Sequence, residues 1–197
     1  MGKVLQFKIS LDEIKPQIWR RIQISDRCSF WALHVAIQDA FGWEDYHLHE
    51  FILNDPVNNK TVRMGIPFDD DIEDMNPEAG WEHRVKRYLE DNPRFKYIYD
   101  FGDNWHHTIE FEGALDKAPD TKYPICLDGA RKCPPEDVGS IGGYYEFIKA
   151  MKNKRHPEHK RRSIWIGGSY DPEEFNAKAI RFSRSSVRLN RMLETID

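Results

Sequence analysis

Between Lys96 and Phe111 the chain reads KYIYDFGDNWHHTIEF, and its side chains alternate in character on both sides of a short break. Phe95, Tyr97, Tyr99 and Phe101 alternate with Lys96, Ile98 and Asp100. After Gly102-Asp103-Asn104, Trp105, His107, Ile109 and Phe111 alternate with His106, Thr108 and Glu110. A period of two belongs to extended chain, whose successive side chains face opposite ways, so this stretch predicts two strands and a turn. His107 then shares the apolar face of Trp105 and Ile109, and His106 looks the other way. A three-residue connection pairs Phe101 with Trp105 and Tyr99 with His107; a two-residue turn at Asp103-Asn104 puts Asp100 opposite His107. The first is preferred because it keeps both aromatic rows on one buried face; the second makes a carboxylate-imidazole pair.

Around this hairpin the sequence predicts further strands and one early helix. Leu5, Phe7, Ile9 and Leu11 alternate with polar neighbours, and Ile18, Arg20, Ile22 and Ile24 fall on one face of a second strand. A guanidinium in an isoleucine row needs a partner, so Arg20 is expected to meet Asp100, Asp103 or Glu50, to open onto an anion-binding cavity, or to reach solvent from a packed stem. Ser29 is placed to cap a helix through Phe41 that Gly42 stops, with His34 packed on its edge. YHLHEFIL reads as a strand with His47, His49, Phe51 and Leu53 on one side, a geometry that suits chelation. FDDDIEDMNPEAG reads as a solvated acidic loop without calcium-loop spacing. Farther on, Asp128-Gly129 reads as a turn, Pro134-Pro135 as extended chain and Tyr144 to Lys152 as a helix. EHKRRSIWIGG predicts a short helix, and Asp171 is placed to cap the last one, on which Arg181, Arg184, Arg188 and Arg191 form one stripe and which Ser183 to Ser186 can interrupt.

The fold class that follows is α+β: a mixed, largely antiparallel sheet with a central hairpin, one helix after the first two strands and a helical C-terminal region. The 197 residues suit a single domain, since no Gly, Ser or Pro tract divides them. No apolar run approaches the roughly 20 residues of a membrane span, and the N-terminus lacks a secretory core, so a cytoplasmic protein with reduced thiols and no membrane partner is expected. Six residues lie between Cys126 and Cys133, too many for the usual zinc pair, which favours buried, unreactive thiols. The net charge of -4 hides an asymmetry: residues 1–148 carry -10 and residues 149–191 carry +8. Such a basic region either docks on the chain's own acidic body or attracts phosphate backbones or a protein partner.

Five motifs, PQIWRRI, LHVAIQDAFGWEDYHLHEF, YDFGDNWHHTI, CLDGARKCPPEDVGSIGGY and WIGGSYDPEEF, resemble in order and spacing the plasmid ORF-three-like family, named after an open reading frame of a bacterial root-inducing plasmid. The resemblance runs from about residue 3 to about residue 182 and leaves residues 183–197 as a basic helical extension. It implies a compact α+β domain and no established activity; resolvase-like labels and fusions to DNA-binding domains within the family imply a nucleic-acid context. Its pattern positions fall here on Trp19, Arg20, Arg21, His34, Trp43, His47, Tyr99, Asp100, Gly102, Asp103, Trp105, His107, Cys126, Arg131, Cys133 and Pro134 to Asp137. Val138 and Ser140-Ile141 depart from the pattern and weaken a metal cluster in that segment.

Two functions compete. The favoured one is a non-catalytic binding or accessory protein with a pocket drawn from Arg20, His47, Tyr99, Asp100, Asp103, Trp105, His107, Glu136 and Asp137, and with Arg181, Arg184, Arg188 and Arg191 meeting nucleic acid or a partner. The other is a zinc-type hydrolase in which His47, His107 and Cys126 or Cys133 hold the metal and Asp100, Asp103 or Glu136 moves protons. A serine hydrolase is disfavoured, because no serine sits in an elbow motif.

Overall fold

A computed structural model describes residues 2–68 and 76–196, with side chains through 194, so the acidic stretch from Asp69 to Asp74 lies outside the described residues. Eight strands form one sheet: β1 (Lys3–Leu11), β2 (Trp19–Ser25), β3 (His49–Asn54), β4 (Thr61–Gly65), β5 (Glu78–Ala79), β6 (Arg94–Tyr99), β7 (Trp105–Asp116) and β8 (Ile125–Ala130). Their spatial order is β5-β4-β3-β6-β7-β1-β2-β8. Every pairing is antiparallel except β4 with β5.

One face of the sheet is dry and the other wet, as the period of two demands. Leu5, Phe7, Ile9 and Leu11 of β1, Ile22 of β2, Phe51 of β3, Tyr97 and Tyr99 of β6 and Trp105 and Ile109 of β7 are buried on the covered face. Fully burying each large apolar side chain stabilises the fold by about 1.5–3 kcal/mol. On the wet face Lys8 pairs with Glu110, Arg21 with Glu112 and Lys96 with Asp12.

Helix α1 (Phe30–Phe41) lies across the dry face and buries Phe30, Leu33, Ile37 and Phe41. Ser29 caps it by accepting from the amide of Ala32 at 3.2 Å, and Gly42 ends it in the left-handed region, φ 84°. Three helices follow β8: α2 (Ser140–Lys152), α3 (His159–Trp165) and α4 (Ser185–Ile196). α4 packs on α1, where Trp31 donates to the carbonyl of Ser185 and the amide and hydroxyl of Ser183 both donate to Asp39.

Four expectations need correction. The β6–β7 connection spans Asp100 to Asn104, so Tyr97 faces His107 and Tyr99 faces Trp105. Neither Tyr99 nor Asp100 is the partner of His107; Phe95, Tyr97 and Tyr99 do share the buried face with Trp105, but Phe101 lies in the turn and is exposed. Asp128-Gly129 is not a turn but part of β8, opposite Arg21 and Arg20. A Cβ at Gly129 would lie 2.6 Å from both the Phe175 ring and the carbonyl of Trp19, so glycine is there for close approach. No helix starts at Asp171: Glu173 and Glu174 are held by Arg131 and Lys132, and Phe175 lies against Arg20. The last helix begins only at Ser185, so Arg181 and Arg184 precede it and the four-arginine stripe is broken.

Candidate functional site: a histidine between two carboxylates

Three loop segments meet at one end of the sheet: residues 43–48 before β3, the 100–104 turn, and residues 134–139 before α2. The contacts that bring them together are specific. Trp43 donates to the carbonyl of Pro134 at 3.0 Å, and the amide of Gly139 donates to Asp103 Oδ2 at 3.0 Å. Glu136 Oε1 accepts from the amide of Glu44 at 2.8 Å and from the hydroxyl of Tyr99 at 2.9 Å. That hydroxyl in turn accepts from the amide of Tyr46 at 3.1 Å. Burial raises the Tyr99 phenol and also raises the Glu136 carboxyl above the usual range.

His47 stands at the centre. Its Nε2 lies 3.1 Å from Asp137 Oδ1 and 3.7 Å from Asp100 Oδ2. The Asp137 approach is poorly aligned, so this nitrogen is buried with no hydrogen-bond partner, as is Glu136 Oε2. Asp100 has a side chain only 7% exposed, and its other oxygen accepts from the amide of Gly102 at 2.9 Å. Asp100 and Asp137 both hold left-handed backbone, φ 57° and 54°, which short polar side chains tolerate and which aims them inward from tight turns.

The ligand atoms of His47, Asp100 and Asp137 all lie within 4.8 Å of one another. Donors each about 2.0–2.2 Å from one ion sit roughly 3–3.5 Å apart, so the trio needs little rearrangement to hold a metal. One imidazole and two carboxylates suit a borderline or hard divalent ion such as zinc, iron or manganese. Among the described residues this is the group with metal-holding geometry, and neither His107 nor Cys126 or Cys133 belongs to it.

The remaining expected residues fall elsewhere. His107 is fully buried; its Nδ1 donates to the carbonyl of Trp105 at 3.0 Å, and its ring packs between Phe41, Trp43 and Tyr97. Burial pushes its pKa down to about 3, so it is a neutral core side chain. Trp105 is also in the core. Among the described residues Arg20 meets no carboxylate: it donates to the carbonyls of Ala40, Trp19, Ala130 and Arg131 and is stacked between Phe41 and Phe175. It thus ties the C-terminal turn of α1 to β8, where a cation also suits the helix dipole. All three thiols are free; burial raises Cys133 well above its ordinary value and raises Cys126 less. Arg188 pairs with Asp39 at 3.3 Å and approaches Asp45 at 3.9 Å, so it docks on the acidic body.

Sequence reasoning missed Glu44 and Tyr46, which frame the site from within WEDYHLH. The signal was there: a polar run directly after a glycine helix stop, next to a histidine, marks a loop positioned by a rigid scaffold.

The fold and this rim define an α+β protein with a one-sided antiparallel sheet and a histidine-carboxylate cluster built from three loops. Residues 3–179 match the model of the plasmid pRiA4b ORF-3-like proteins, and the chain belongs to that family. It is similar to the uncharacterized protein y4hQ of Sinorhizobium fredii, 32% identical over 185 residues, covering 93% of this chain and 89% of that one. It is also similar in structure to MM3350 of Methanosarcina mazei, a protein of unknown function, with a TM-score of 0.84, 36% identity, and coverage of 92% of this chain and 99% of the other. These relatives support the fold and carry no activity to transfer. No helix among the described residues is long and apolar enough to cross a membrane.

Proposed function

We propose that the protein is a divalent-metal-dependent enzyme of hydrolytic type, with His47, Asp100 and Asp137 as the metal ligands. The observation that carries the reading is the clustering of these three donor atoms, with the buried Nε2 of His47 lacking any hydrogen-bond partner. A structural metal site is closed by four protein ligands, whereas three ligands with an exposed edge leave room for water and substrate. Here Asp137 is 68% exposed and provides that edge. A bound divalent ion supplies a water of lowered pKa and a Lewis acid for a carbonyl or phosphoryl oxygen. Glu136, held through Oε1, has Oε2 free to accept a proton beside the cluster, and Tyr99 and the amide of Glu44 fix its orientation.

Titration of tag-free protein with Zn2+ and Mn2+ by calorimetry tests the site. Wild type should bind stoichiometrically, and Asp100→Asn, a substitution compatible with the left-handed backbone, should bind far more weakly. Equal binding by the two proteins removes the proposal. Metal-dependent hydrolysis of chromogenic ester substrates should be lost in Glu136→Gln while metal binding persists. One continuous hydrophobic cluster supports reading residues 1–197 as a single domain, and three free cysteines support a reducing, cytoplasmic setting.

A further inference from the structure

We infer that a basic trough between the β8 side of the molecule and the start of α4 binds the phosphodiester backbone of single-stranded nucleic acid. Two clefts, of about 690 and about 290 Å3, share Tyr123, Pro124, Ser183 and Ser185 and therefore run into each other. Lys122, Lys178, Arg181 and Arg184 line the first, and Arg27 and Arg84 the second; among the described residues no acidic side chain lines either. All six cations are exposed, and no carboxylate among the described residues pairs with them.

The contrast with the wet face of the sheet is what points to a ligand. Across the wet face of the sheet cations are matched with acids, as in Lys8 with Glu110, Arg21 with Glu112 and Lys96 with Asp12. Six like charges held along one concave path repel each other unless an anion neutralises them, and a row of sites suits a polyanion better than a single phosphate. The chemistry of the lining favours one strand. Tyr123 and Phe182 offer aromatic surface for bases inside the trough, and the hydroxyls of Ser185 and Ser186 offer donors to phosphate oxygens. Arg188, once grouped with these arginines by spacing, is excluded because it is bonded to Asp39.

Fluorescence anisotropy with labelled 20-mers of oligo-dT and oligo-U, in EDTA so that any metal site is silent, provides the test. Binding should weaken with salt at a log-log slope of about -3 to -4, the value for four to six neutralised phosphates on a single strand. The double reversal Arg181→Glu and Arg184→Glu should weaken binding about tenfold or more and flatten that slope, whereas Arg94→Glu on the wet face should leave it unchanged. Circular dichroism melts should coincide for the three proteins. Cys126 lines the trough and the other two thiols are buried, so bound oligonucleotide should also slow its alkylation. The proposal is overturned by absence of binding at low salt, by equal binding of wild type and the double variant, or by tighter binding of a duplex. It is equally overturned if polyglutamate or anionic vesicles compete as well as the oligonucleotides do. Since the assay excludes metal, its failure leaves the hydrolase reading standing, and the reverse holds too.

Discussion

His47 and His49 are two residues apart, yet they occupy opposite chemical worlds. His47 stops short of β3 and sits half-buried between Asp100 and Asp137. His49 is inside β3, 2% exposed, stacked on His34 with ring centroids 3.4 Å apart and with neither ring nitrogen hydrogen-bonded. His34 takes the polar partners of that layer, the hydroxyl of Tyr97 at 2.8 Å and Asp45 at 2.7 Å. A half-exposed histidine between carboxylates is placed where a ligand can reach it; burial among rings makes a histidine a neutral filler that holds the core together only while unprotonated.

The largest effect expected from this difference is acid sensitivity. His49 and His107 have folded-state pKa values pushed below 6.5 by burial, His107 to about 3. Below pH 6.5 the unfolded chain takes up protons that the folded chain refuses, so stability is full above that pH and falls as the pH drops. Two such groups give a slope of about 2.7 kcal/mol per pH unit, which denaturant titrations between pH 6.5 and 4.5 will read. A flat profile over that window contradicts neutral buried imidazoles.

Next comes His47→Ala. Losing even an outer-shell partner costs roughly 10- to 100-fold in metal affinity, so loss of a ligand should cost about 100-fold or more while the melting temperature of the metal-free protein barely moves. A large drop in that temperature would make His47 a structural residue instead.

His49→Leu should act in the opposite sense. It removes two buried nitrogens without partners, and unfolding free energy at pH 7 should rise by about 1–2 kcal/mol, with the acid slope halved. A loss of stability would mean that the stacked pair contributes more than its unsatisfied atoms cost. The smallest effect on metal affinity belongs to Tyr99→Phe. It deletes the hydrogen bond to Glu136 and the one accepted from the amide of Tyr46, each worth about 1 kcal/mol, and should lower turnover more than metal affinity.

Much of the architecture was legible from period alone. The strand faces of β1, β2, β6 and β7, the extent of α1 with its Ser29 and Gly42 ends, and the packed role of His34 all follow from residue pattern, because they depend on neighbours within a turn or a strand. The hairpin register was not legible. A five-residue turn with left-handed Asp100 and Asn104 is selected by the bond from the Asp100 amide to the carbonyl of Leu48, and that partner lies 52 residues earlier. Arg20 was misread for a related reason: carbonyl partners leave no trace in side-chain composition, whereas carboxylate partners do.

Sequence on its own determined which residues are apolar, how they alternate, and therefore that a one-sided sheet must form with α1 over it. It also placed the positive charge in the last quarter of the chain. Only the folded chain decided that His47, rather than His107, meets two carboxylates, that Asp137 arrives there from beyond β8, and that Arg27 and Arg84 join Arg181 and Arg184 in one trough. Local pattern governs what is buried, since burial follows from each residue's own hydrophobicity. Convergence of distant polar groups depends on loop paths set by long-range hydrogen bonds, which no window of sequence contains.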